Sequence, residues 1–118
     1  MRLPDPTEPL SEIYDLLYHL GLTANSVMFF HTAYAVWLGV QQPDRLLLVT
    51  KWLYPEVAKH YRTTPAAVER SIRRAANTVY TLSVSLLAER IGYTPTQRPR
   101  TAQFLSLLVS CIPPPPAA

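Results

Sequence analysis

The chain has 118 residues, which suggests one domain, and this length is enough to bury a hydrophobic core without disulfide or metal cross-links. Hydrophobic residues make up 48% and charged residues 16% of the sequence, as in a globular protein, and the net charge is +3. The single cysteine, Cys111, excludes an internal disulfide framework, and because the N-terminus does not resemble a signal peptide, we predict a cytoplasmic protein.

Hydrophobic periodicity, capping residues and prolines predict seven helices, and no hairpin or strand pattern competes with them. Helix 2 begins after Asn25 or Ser26, helix 4 has Pro55 in its first turn, and helix 5 follows the N-cap Thr64 and begins at Pro65. Thr101 is the predicted N-cap of helix 7. The predicted helices lie near residues 10–20, 26–40, 44–53, 55–61, 65–82, 83–91 and 101–112, and residues 93–100 form a loop.

An uncharged stretch over residues 16–43 raises the question of a membrane span. Its best apolar run, residues 27–40, is shorter than the about 20 residues that a helix needs to cross a bilayer. We therefore predict a buried core helix and no membrane partner.

Residues 55–82 have the layout of a helix-turn-helix, a short helix and a tight connection followed by a longer helix. At 100° per residue, one stripe of the longer helix is apolar and the opposite side is basic. The apolar stripe contains Val68, Ile72, Ala75 and Val79, and the opposite side contains Arg70, Arg73, Arg74 and Asn77.

The charges are distributed unevenly along the chain. Residues 1–44 contain one basic and five acidic residues, whereas residues 45–100 contain ten basic and three acidic residues. This asymmetry is typical of a protein with an anionic partner, although many basic faces are only solvated.

The residue types on the basic side suggest how DNA could be bound. Arg70 can donate two hydrogen bonds to guanine, and Glu69 can accept one from cytosine or orient an arginine. Phosphate contacts are predicted for Arg73, Arg74, Lys59, Arg62 and the helix N-terminus at Thr64. The alternative for Glu69 and Arg73 is an ordinary surface pair of a helix, because they are four residues apart.

The run TKWLYPEVAKHYRTTPAAVERSIRRA, from Thr50 to Ala75, resembles the C-terminal DNA-binding domain of the transcription factor that initiates sporulation, stage 0 sporulation protein A. A weaker resemblance extends from about Ile13 to Val109 and includes the turn Ile91-Gly92-Tyr93-Thr94. The resemblance implies an all-α, compact bundle of six or seven helices containing a helix-turn-helix. It also implies binding to promoter DNA as tandem copies, with homodimers on tandem sites and RNA polymerase as a further partner.

By position, the resemblance implies that Glu69 and Arg70 contact bases and that Arg73 lies on the same DNA-facing helix, with Lys59 and Thr64 near phosphates. The chain departs from the family at Ala66-Ala67, where the family usually has Ser-Arg, so that one arginine that contacts bases is missing. Arg62 replaces an asparagine and Arg74 replaces a histidine, which adds positive charge and would strengthen sequence-independent binding.

The expected organisation is a flexible segment over residues 1–9, a DNA-binding domain over residues 10–112 and a proline-rich tail over residues 113–118. Residues 1–9 are too few for the receiver domain of the family protein, so we expect a regulator that lacks one. The alternative function is a protein-interaction module that modulates a full-length relative or RNA polymerase. We expect no enzyme activity, no metal and no cofactor, because the sequence contains no catalytic motif and no metal-ligand spacing.

Overall fold

The computed structural model describes residues 8–113 of the chain, and every regular element in that range is helical. The predicted flexible segment 1–9 and tail 113–118 lie outside the described residues, apart from the positions next to the domain. The elements are α1 (Glu8–His19), α2 (Val27–Gln41), a 3-10 helix (Pro43–Leu47), α3 (Val49–Trp52), α4 (Tyr54–Tyr61), α5 (Pro65–Ile91) and α6 (Thr101–Ser110).

The uncharged helix α2 lies at the centre and packs against α1, α5 and α6. Its N-cap is Ser26, whose Oγ accepts a hydrogen bond from the Phe29 backbone N–H at 3.3 Å. Most of α2 is buried, which explains why its sequence is apolar on nearly all sides. Within residues 8–113, no helix combines the length and the apolar character needed to span a membrane.

The single helix predicted near residues 44–53 is wrong, because the chain forms the 3-10 helix and then α3. The two segments are separated at Leu48, whose φ of −151° and ψ of 77° are not helical. This break lets Leu46 pack inward near Gly39 of α2, while the Arg45 guanidinium donates to the Trp52 carbonyl.

The predicted helices 5 and 6 are the two parts of α5, which meet in a kink at Ser83, the predicted start of helix 6. Ser83 has a φ of −147° and a ψ of 33°, and its buried Oγ donates to the Leu20 carbonyl at 2.5 Å. The kink thus has an identifiable cause, because the serine hydroxyl binds the end of α1 across the core.

Thr101 is not the N-cap of the last helix, as we had predicted, but its first helical residue. The N-cap is Arg100, which makes no capping hydrogen bond through its side chain. The helix ends at Ser110, two residues before the predicted end. The predicted number of six or seven helices stays a prediction, because the count depends on how the kinked α5 and the short segments around Leu48 are treated.

Candidate nucleic-acid interface

Two helices, α4 and α5, are joined by a short connection at the centre of the basic region. α4 ends at Tyr61, and Arg62 follows in the left-handed conformation with a φ of 55°. The Thr63 N–H donates to the Ala58 carbonyl at 2.9 Å, which closes the end of α4. Thr64 then caps α5, since its Oγ accepts from the Ala67 N–H at 3.1 Å. The connection therefore turns the chain sharply without a glycine.

One side of α5 is fully buried and the opposite side is basic and exposed. The predicted apolar stripe is confirmed, since Val68, Ile72, Ala75 and Val79 all have 0% exposure. Arg70, Arg73 and Arg74 are exposed. Burial of the stripe fixes the rotation of α5, and this rotation directs the three arginines away from the core.

The Glu69 carboxylate is held by two neighbours. Its Oε2 lies 3.0 Å from Arg73 Nη1 in an i, i+4 ion pair, and its Oε1 accepts a hydrogen bond from Thr101 Oγ1 at 3.1 Å. The surface pair that we weighed for Glu69 and Arg73 is therefore present. The bond from Thr101 could not be inferred from the sequence, because it joins two residues of different helices that are 32 positions apart.

Charge and burial also act on Tyr54, next to this pair. Burial of the phenol, together with the negative charge of Glu69, raises the pKa of Tyr54 to about 12. Tyr54 is neutral at physiological pH and adds no charge beside the pair. It lines a shallow cleft with Glu69, Arg70 and Arg73.

Arg62, Arg70 and Arg74 lie around a second cleft, on the side of α5 that faces α2. The interior of this cleft contains a polar pair that the sequence analysis missed, in which His31 Nδ1 and Ser71 Oγ are 2.9 Å apart. Both side chains are buried, and desolvation lowers the pKa of His31. No sequence motif indicated that His31 and Ser71 would be partners.

The predicted site residues thus fall into three groups. Arg62, Arg70 and Arg74 surround the cleft beside α2, while Glu69 and Arg73 form the ion pair, with Arg70 between the two clefts. The third group is Lys59, exposed in the last turn of α4, and Thr64, the N-cap of α5, which line neither cleft. Within the described range, no three metal-binding side chains come together.

Asn77, on the exposed side of α5, accepts a hydrogen bond from the Arg98 guanidinium in the loop before α6. This contact holds the loop against the middle of α5.

The sequence from Ile13, in the middle of α1, to Ile112 matches a known family. The family model described as "Sporulation initiation factor Spo0A C terminal" matches residues 13–112 of the chain. The match includes both helices of the basic region and all of the predicted contact residues.

Proposed function

Because the chain belongs to the family of the sporulation initiation factor Spo0A C-terminal domain, we propose that it is a sequence-specific DNA-binding transcription regulator. In this proposal α4 and α5 form a helix-turn-helix, and the first part of α5 enters the major groove. The observation that carries the proposal is the rotation of α5, whose buried stripe leaves Arg70, Arg73 and Arg74 exposed together.

Arg70 is proposed to contact a base, because an exposed guanidinium on the recognition helix can donate two hydrogen bonds to guanine. Glu69 is proposed to contribute to specificity beside it. Its bonds to Arg73 and Thr101 support a positioned carboxylate, and a positioned acceptor discriminates between bases better than a mobile one.

Phosphate contacts are proposed for Arg73, Arg74, Lys59, Arg62 and Thr64. Thr64 can contribute through its hydroxyl proton, since its oxygen accepts the capping bond from the Ala67 N–H. The Ala66 N–H is the one free donor of the first turn, because Pro65 has no N–H and the Val68 N–H donates to the Thr64 carbonyl. The alanines at positions 66 and 67 support a relaxed or altered DNA site, because neither side chain can donate a hydrogen bond to a base.

The test is selection from a random pool of double-stranded DNA with the purified protein at two salt concentrations. Arg70→Ala is expected to relax the selected sequence, whereas Arg74→Ala should weaken binding to all sequences and reduce the salt slope by about one. Arg90→Ala, at the far end of α5, is the matched control for loss of one charge. Equal loss on all sequences for Arg70→Ala and Arg74→Ala would contradict the assigned roles.

Homodimers on tandem DNA sites, contact with RNA polymerase and a cytoplasmic location are further parts of this proposal. Binding to tandem and single copies of the selected site, compared by gel shift, tests the first. Cooperative binding on tandem copies is the expected result.

A second candidate is the protein-interaction module, and an exposed apolar patch favours it. Leu47, Leu48 and Trp52 are 76%, 43% and 41% exposed around the 3-10 helix and α3, beside a cleft of about 570 Å³. Exposed apolar patches of this kind are typical of protein-binding surfaces. A stable complex with RNA polymerase that is lost in Leu47→Ser, together with no DNA binding at low salt, would favour this candidate.

A further inference from the structure

The cleft beside α2 has features of a small-ligand site. It has a volume of about 460 Å³ and lies between α2, the α4–α5 connection and the first turns of α5. Small-molecule sites typically measure about 300–1,000 Å³. Arg62, Arg70 and Arg74 line it, and within the described part of the chain none of the three forms an ion pair with a carboxylate.

The interior of the cleft is polar and held in place. His31 and Ser71 are 5% and 9% exposed and bind each other at 2.9 Å. Tyr61 packs with its ring centroid 5.0 Å from that of His31, and its hydroxyl donates to the Phe30 carbonyl at 3.3 Å. The floor of the cleft is therefore fixed by contacts within the protein and needs no ligand to form.

One position on α5 decides whether the cleft is open. Ala67 lines the cleft one turn before Arg70 and Ser71, and its methyl group occupies little of the space. A longer side chain at position 67 would project into the same volume. The small side chain thus leaves this volume open in a cleft that the three arginines line.

We propose that this cleft binds the phosphate group of a small phosphorylated anion, and that the bound anion excludes DNA. Guanidinium groups are the preferred partners of phosphate oxygens, because they form charge-assisted and often paired hydrogen bonds. The exclusion of DNA rests on the proposed function, in which Arg70 and Arg74 contact the nucleic acid. A backbone phosphate of DNA has the same chemistry, so the experiments separate the two sources.

Calorimetric titration of the full chain with inorganic pyrophosphate tests the free anion. Arg62→Ala removes a cation and Ala67→Leu fills the cleft without a change in charge, and each is expected to weaken binding at least about tenfold. Arg90→Ala, which removes one cation away from the cleft, is expected to change the affinity less than about twofold. Equal loss in Arg90→Ala, or no binding by the unmodified chain, would overturn the proposal.

The histidine resonances give a second measurement that does not depend on affinity. The ring signals of His31 should shift on addition of pyrophosphate, whereas those of His19, on the exposed face of α1, should not. Equal shifts of both rings would show a general ionic effect and contradict binding in the cleft.

Competition with a short DNA duplex, at constant ionic strength, tests the exclusion. Pyrophosphate is expected to raise the apparent Kd for DNA, with sodium chloride as the control salt. Simultaneous and independent binding would refute the exclusion, and DNA binding without any pyrophosphate binding would show that the cleft accepts only backbone phosphate. Pyrophosphate binding without DNA binding would leave the cleft proposal intact and refute the proposed function.

Discussion

The two bonds of Glu69 are expected to differ in strength, and double-mutant cycles can measure this difference. The ion pair with Arg73 joins groups that are 31% and 48% exposed, so solvent screens it and its coupling energy should be about 0.3–0.5 kcal/mol. The hydrogen bond from Thr101 joins a neutral donor to a charged acceptor at a half-buried position. Because Glu69 remains partly exposed, we expect a coupling energy of about 1 kcal/mol rather than the larger values of buried sites.

The cycles use Glu69→Ala with Thr101→Val and Glu69→Ala with Arg73→Ala, and urea denaturation gives the free energy of unfolding of each variant. The helix propensity gained by alanine at position 69 cancels within each cycle. Added salt should reduce the coupling to Arg73 more than the coupling to Thr101. A coupling to Thr101 that is smaller than the coupling to Arg73 would refute the conclusion that α6 positions this carboxylate.

Three further predictions concern the frame of the site. Gly39→Ala should lower the free energy of unfolding by about 1 kcal/mol despite the better helix propensity of alanine, because the new Cβ would lie 2.8 Å from Val109 Cγ2. The double variant Gly39→Ala with Val109→Ala should regain stability, and an unchanged free energy of unfolding for Gly39→Ala in urea denaturation would contradict the close packing. Arg62→Gly should be more stable than Arg62→Ala by about 1 kcal/mol in thermal unfolding, since only glycine relieves the positive φ, and equal stabilities would argue against strain there. Desolvation lowers the pKa of His31 below 6.5, so the unfolded chain binds the proton more readily than the folded chain. The stability that this difference contributes above about pH 6.5 should therefore be lost as the pH falls through the folded-state pKa. In urea denaturation, His31→Gln should lose less free energy of unfolding than the unmodified chain between about pH 7.5 and 5.5, and an equal loss would refute His31 as the cause.

Much of the helical region around the connection could be predicted from the sequence, because its signals are local. Pro65 after a threonine predicts a helix start, and the alternating four- and three-residue spacing of Val68, Ile72, Ala75 and Val79 predicts the buried stripe. The rotation of α5 follows from this stripe, and with it the exposed arginine face. The family could also be recognised from the run Thr50 to Ala75, before any coordinates.

The predictions that failed depended on distant contacts. The break at Leu48 accompanies the packing of Leu46 against α2, and the sequence near residues 44–53 has no glycine or internal proline that marks it. Thr101 was predicted as an N-cap, but in the structure its hydroxyl donates a hydrogen bond to Glu69 of another helix. A local rule assigns a threonine before an apolar run to a cap, but it cannot include an acceptor 32 residues away.

The sequence by itself determined the helical class, the family and the basic side of α5, because periodicity and capping act within a few turns of one helix. Only the tertiary structure decided which arginines share a cleft. Arg62, Arg70 and Arg74 come together over His31 and Ser71 because α2 packs across α5, and this packing joins residues that are 40 positions apart. Such contacts depend on how helices pack in three dimensions, which the pattern of any single helix does not contain.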